Sequence, residues 1–124
     1  MFDAAVVRFP KSARLHVGRG IAQYARGRYE EAERAFRALR QRAADIGADD
    51  LMHYRIVDGL IVTLRTQLGS DLERNRRVRR EIEALAQEMV ERSERQFGPE
   101  SMPLVRARVI VADMMLERGD AAGA

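Results

Sequence analysis

Two histidines, nineteen carboxylates and no cysteine define the chemistry open to this 124-residue chain. His16 and His53 lie far apart, and neither has a second histidine or a cysteine at ligand spacing. Asp49 and Asp50 precede His53 at a spacing that a metal site would share with an exposed helix start, and the helix start is the simpler reading. Without thiols there is no disulfide framework, thiolate nucleophile or thiolate metal site. No glycine-rich phosphate loop, nucleophile elbow or histidine–carboxylate motif occurs. Acid pairs such as Glu30-Glu31 sit on adjacent turn positions, where general acid–base chemistry has no pocket to shift their ionisation. The expectation is therefore no metal, no cofactor, no catalytic residue and no enzyme activity.

The basic side chains are as one-sided as the acids are scattered. Lys11 is the only lysine among 22 cationic residues, set against 19 acids for a net charge of +3. Arginine stays charged far above the lysine range, so the isoelectric point near 9.9 does not signal a strong positive field. The skew to arginine fits a GC-rich, bacterial genome. Five arginines crowd into Arg74-Asn75-Arg76-Arg77-Val78-Arg79-Arg80. They could meet phosphates or an acidic partner. No aromatic interleaves with them, Glu73, Glu81 and Glu83 flank them, and Glu73–Arg77 has favourable i, i+4 order. The run reads as a solvated helical insertion rather than a nucleic-acid surface.

Those residues must be held by helices. Alanine, leucine, glutamate and arginine dominate, prolines number only three and tryptophan is absent. Gly27, Gly47, Gly69, Gly98 and Gly119 each follow a stretch of helical periodicity, where a left-handed residue commonly ends a helix. Between them the pattern predicts helices over 13–26, 29–46, 51–68, 72–97 and 102–118, preceded by a short one near 3–9, and no sheet. Ser12, Asp49 or Asp50, Ser70 and Ser101 stand at helix starts as caps, Ser70 with Glu73 at capping-box spacing. No basic leader with an apolar stretch and no membrane-length apolar run is evident, so a cytoplasmic, membrane-free location is expected.

The glycines also mark a repeat. Gly27 and Gly69 are 42 residues apart, and Gly69 and Gly119 are 50 apart. Gly47-Ala48-Asp49-Asp50-Leu51 and Gly98-Pro99-Glu100-Ser101-Met102 are matching joints offset by 51 residues. The surplus falls within Ser70–Arg80. Beyond Gly69, Val78, Ile82, Leu85, Met89 and Phe97 form a heptad-like stripe.

The segment Gly20-Ile21-Ala22-Gln23-Tyr24-Ala25-Arg26-Gly27-Arg28-Tyr29-Glu30-Glu31-Ala32, continuing to Phe36 and Leu39, resembles the tetratricopeptide repeat (TPR) family. Small residues stand at Gly20, Ala22 and Ala32, a turn glycine at Gly27, and large residues at Tyr29 and Phe36. The stretch from Phe97-Gly98-Pro99-Glu100 through Val111-Ala112 to Gly119-Asp120 resembles the longer, 42-residue kinesin-light-chain-like variant. The resemblance implies an all-α solenoid of stacked antiparallel helix pairs with incomplete repeats at both ends. Its parts would be a half repeat over 1–11, a repeat over 12–47, a repeat over 48–98 with an insertion near 70–80, and a half repeat over 99–124.

That resemblance further implies a concave groove lined by the first helix of each pair. Carried onto this chain, the partner-binding residues are Val17, Ile21 and Tyr24, then Gly59, Thr63 and Thr66, then Val109, Asp113 and Leu116. Packing against neighbouring helices is the competing role for all nine. Lys11 and Asn75 are the only lysine and asparagine, so neither a carboxylate clamp nor an asparagine ladder is expected. A peptide or helix laid into a mixed apolar groove fits better. The last helix is apolar on more than one face, which points to a fragment of a longer solenoid or to self-association through Val105, Met114 and Met115. The expected function is a protein-interaction module, with a protein or peptide, another copy, or neighbouring domains as partner. The alternative is the ligand- or peptide-sensing domain of a larger bacterial signalling or transcription regulator.

Overall fold

The computed structural model of the chain describes residues 13–43, 45 and 48–123, with side chains as far as Glu117. Among the described residues lie five helices and no strand: α1 (Ala13–Ala25), α2 (Tyr29–Gln41), α3 (Asp50–Thr66), α4 (Leu72–Gln96) and α5 (Met102–Gly123). The protein is all-α. The short helix near 3–9, the Ser12 cap and the Gly47 stop lie outside the described residues.

Two of the expected glycine stops have the predicted backbone. Gly27 has φ +77° and Gly98 φ +93°. At Gly27 the motif is complete: the Gly27 N–H donates to the Tyr24 carbonyl at 2.9 Å and the Arg28 N–H to the Gln23 carbonyl at 3.0 Å. These bonds satisfy carbonyls that the end of α1 would otherwise orphan. Gly69 does not enter the left-handed region. There the Asn75 side chain takes over, accepting from the Gly69 N–H at 3.1 Å and donating to the Gly69 carbonyl at 2.7 Å. Nor does Gly119 stop α5, which runs on to Gly123. An interior glycine costs a helix only about 1 kcal/mol, and two alanines follow.

The caps follow the same rule of short polar side chains, with one shift. Asp49 accepts from the Met52 N–H at 2.8 Å, as expected for the start of α3. Ser101 sits 3.4 Å from the Leu104 N–H at the start of α5. For α4 the cap is Asp71, which accepts from the Arg74 N–H at 3.1 Å, and not Ser70. Helix α2 ends at Gln41 rather than near 46, because its buried stripe of Ala32, Phe36 and Leu39 is followed by the exposed Arg40, Gln41 and Arg42.

The chain divides into two compact units, one reaching to Gln67 and the other starting at Leu68. The boundary falls inside the 48–98 segment. In the first unit α2 packs on both α1 and α3, and α1 also packs on α3. Glu33, near the start of α2, accepts from Gln67 just past the end of α3 at 2.8 Å, so these two helices are antiparallel. Tyr24 at the end of α1 meets Thr66 at the end of α3, so those two run in the same direction. In the second unit α4 packs on α5. Arg79, early in α4, bonds Glu117, late in α5, at 3.1 Å, which makes this pair an antiparallel hairpin.

The core of the first unit turns on Phe36. A Cβ added to Gly20 of α1 would stand 2.9 Å from the Phe36 ring, and one added to Gly59 of α3 would stand 2.6 Å from it. Two helices thus lay bare backbone against a single buried phenyl group, an approach that only glycine permits. The second unit is filled by repetition. Ile82, Leu85, Ala86 and Met89 are buried on α4, as are Leu104, Ala107, Ile110 and Met114 on α5. Of the heptad-like stripe expected for α4, Ile82, Leu85 and Met89 are buried, joined by Asn75, Ala86 and Ser93, whereas Val78 and Phe97 at its two ends are only half-buried and Phe97 stands just past the helix.

Candidate functional site

Phe36 does more than fill space. With Ile21 and Tyr24 of α1 and Tyr54, Arg55, Asp58, Gly59, Val62 and Thr63 of α3 it lines an open cleft of about 380 Å³. The cleft exists because the glycines let α1 and α3 come close to the ring without side chains of their own to fill the surface above it. Ile21 forms one lip and is 53% exposed, an uncovered branched side chain beside an apolar hollow. Arg55 and Asp58 supply charge on the α3 side.

The end of the cleft is tied by a polar chain. The Thr66 hydroxyl donates to the Val62 carbonyl at 2.9 Å, which uses its only proton. The 2.8 Å contact between Tyr24 Oη and Thr66 Oγ1 is therefore a bond donated by Tyr24. The Tyr24 ring also leans on Tyr29, with centroids 5.2 Å apart and planes tilted by 59°. Beneath, Thr63 donates to the Gly59 carbonyl at 2.7 Å, and Gln67 links the Thr63 carbonyl to Glu33, whose other oxygen holds Arg37 at 2.9 Å. Both walls are thus fixed to each other and to α2.

The structure sorts the expected groove residues. Ile21, Tyr24, Gly59 and Thr63 come together around the cleft, and Thr66 joins them through Tyr24. Val17 does not: at 3% exposure it belongs to the buried stripe with Ala13 and Gly20, one step round the helix from Ile21. Thr63 lines the cleft but is itself 0% exposed, because its hydroxyl is turned back onto the preceding turn of α3. Val109 and Leu116 are exposed and Asp113 half-buried on α5, in the second unit. Among the residues expected for self-association, Val105 and Met115 are exposed. Met114 is 2% exposed and corrects that expectation, since it continues the inward stripe of Leu104, Ala107 and Ile110.

Sequence reasoning passed over Phe36 as a cleft floor and Tyr54, Asp58 and Val62 as its wall. The signal was present: Tyr54, Asp58 and Val62 recur every four residues beside Gly59, a glycine placed where a helix has no need of one.

The other sequence candidates resolve differently. Residues 72–80 form the first turns of α4, with Arg74, Arg76, Arg77 and Arg80 exposed and Arg79 held by Glu117. Among the described residues no three histidine, cysteine or acidic side chains gather in a way that could hold a metal ion. None of the described helices is long and apolar enough to cross a membrane. What fold and site define is an all-α protein with an apolar cleft between two like-directed helices. Comparison of the chain with protein-family models, curated proteins and solved structures gives no match.

Proposed function

We propose that this protein is an interaction module that receives an apolar segment of a partner protein, a peptide or a helix, in the cleft between α1 and α3. The observation that carries this reading is Ile21, half-exposed on the lip of an apolar hollow floored by Phe36. Burying such a lip and hollow against a partner's bulky side chains releases water from both surfaces. Asp58 and Arg55 at the margin would fix the direction of the bound segment, as polar rims do in other groove interactions. We further propose a TPR-like arrangement for the array. It is supported by Gly20, Gly27, Ala32 and Phe36, which have in the first unit the small, turning and space-filling roles that the resemblance implies.

A second reading keeps the cleft and changes the occupant. A volume of about 380 Å³ lies at the lower end of small-molecule sites, which suits a sensor domain of a larger regulator. One titration separates the two. Backbone amide spectra of the chain are followed during addition of amphipathic helical peptides carrying leucine and aromatic anchors, and separately of small apolar molecules. Peptides should move the resonances of Ile21, Gly59 and Val62. Ile21→Asp and Tyr24→Ala should weaken that response while circular dichroism stays helical. Cleft resonances that answer only small molecules would favour the sensor, and silence toward both would reject the site.

A further inference from the structure

The cleft leaves the outer face of α5 unaccounted for. This helix has two apolar faces. Leu104, Ala107, Ile110 and Met114 point inward and are buried, whereas Met102, Val105, Val109, Ala112 and Leu116 are exposed. The exposed five are separated by three, four, three and four residues, the a/d spacing of a coiled-coil seam. At its ends Met102 is 74% and Leu116 65% exposed, and Met115 widens the apolar surface at one edge. Single exposed apolar residues need no explanation, but an unbroken seam over two heptads does.

We infer that this seam is the contact surface for a second copy of the same helix, in a parallel, in-register pair. A heptad seam is complementary to itself under two-fold rotation, so one sequence supplies both halves of the interface. Small and medium side chains at the centre, Val105, Val109 and Ala112, let the two backbones approach, with Met102 and Leu116 closing the ends. The flanking charges match as well. In a parallel pair the residue before one core position faces the residue five further along the other helix. Arg108 of each copy then faces Asp113 of the other, which gives two opposite-charge contacts and no like-charge contact between these positions. The helix is already formed and braced by α4, so pairing does not have to nucleate it. A seam of about 21 Å is short for a protein interface, so the dimer is weak and depends on concentration.

The inference is independent of the cleft, and its test separates the two. Sedimentation velocity of the full chain over rising concentration should show monomer giving way to dimer. Val109→Glu places a charge in the middle of the seam and should weaken dimerisation by about tenfold or more without loss of helicity. The absence of native cysteine makes Ala112→Cys a clean second probe. Mild oxidation should link it into dimers, whereas Ala84→Cys, exposed on α4, should stay largely unlinked. Ile21→Asp should leave the dimer intact, and Val109→Glu should leave the peptide response of the cleft intact. A monomer at every concentration overturns the inference and leaves the face to a foreign helix. A dimer indifferent to Val109→Glu, or equal linking of the two cysteines, overturns it too.

Discussion

The two units bring their helices together by different means. In the first, one aromatic ring lies between two glycines, beside a regular aliphatic face of α3 with Ile56, Leu60, Ile61 and Leu64 buried. In the second, an antiparallel hairpin buries aliphatic residues every three or four positions along both helices. The glycines leave a hollow next to the ring, and α5 carries an exposed apolar stripe opposite its buried one. The hollow lies in the first unit and the exposed apolar stripe in the second.

The contrast can be broken most severely at Phe36. Phe36→Ala removes a fully buried ring that the flanking glycines cannot replace, and should cost about 3–5 kcal/mol in urea unfolding. Gly59→Val attacks the same contact from the other side and should cost about 1–3 kcal/mol through overpacking. In a Phe36→Leu background that cost should shrink, because the ring that the new side chain would strike is gone. Additive effects of the two changes would show that the Gly59–Phe36 approach is not what organises the unit.

Asn75 offers the matching break at the start of the second unit. Its amide bonds both the N–H and the carbonyl of Gly69 from a buried position. Asn75→Ala should therefore cost about 1–3 kcal/mol. Asn75→Asp should be worse at neutral pH, since it retains the acceptor but loses the donor and brings in a buried charge. Stability of that variant should recover as the pH is lowered and the carboxyl becomes neutral. An aspartate variant as stable as the wild type at pH 7 would remove the clamp from the account.

Smaller effects sharpen the picture at the surface. Asp71→Ala should cost about 1 kcal/mol and Ser70→Ala almost nothing, which distinguishes the observed cap from the expected one. A double-mutant cycle on Arg79 and Glu117, both partly exposed, should give a coupling below about 1 kcal/mol. A much larger coupling would mean that the hairpin depends on this pair rather than on its aliphatic seam.

Much of this was legible in the chain. Five of the expected helices are present, because a 3.6-residue period and polar caps act within a few residues of one another. Gly27 and Gly98 turn as expected for the same local reason. Gly69 and Gly119 were misjudged because a glycine permits a left-handed turn but does not compel one, and Asn75 offered Gly69 another partner. The nine expected groove residues are those that the TPR resemblance implies, and their shared helical spacing narrows a face to a stripe but not to its edge. That is why Ile21 and Tyr24 reached the cleft while Val17, one turn earlier, went into the core.

By itself the sequence determined that the chain is helical, roughly where each helix begins and which residues are small or bulky, since these depend on short-range sterics and hydrogen bonds. Only the tertiary structure decided that Gly20 and Gly59 meet the same phenyl ring, that Tyr24 reaches Thr66 and that Met114 turns inward while Val109 stays outside. Those outcomes depend on the distance and rotation between helices far apart in the chain, and packing sets both quantities only once all the side chains compete for the same space.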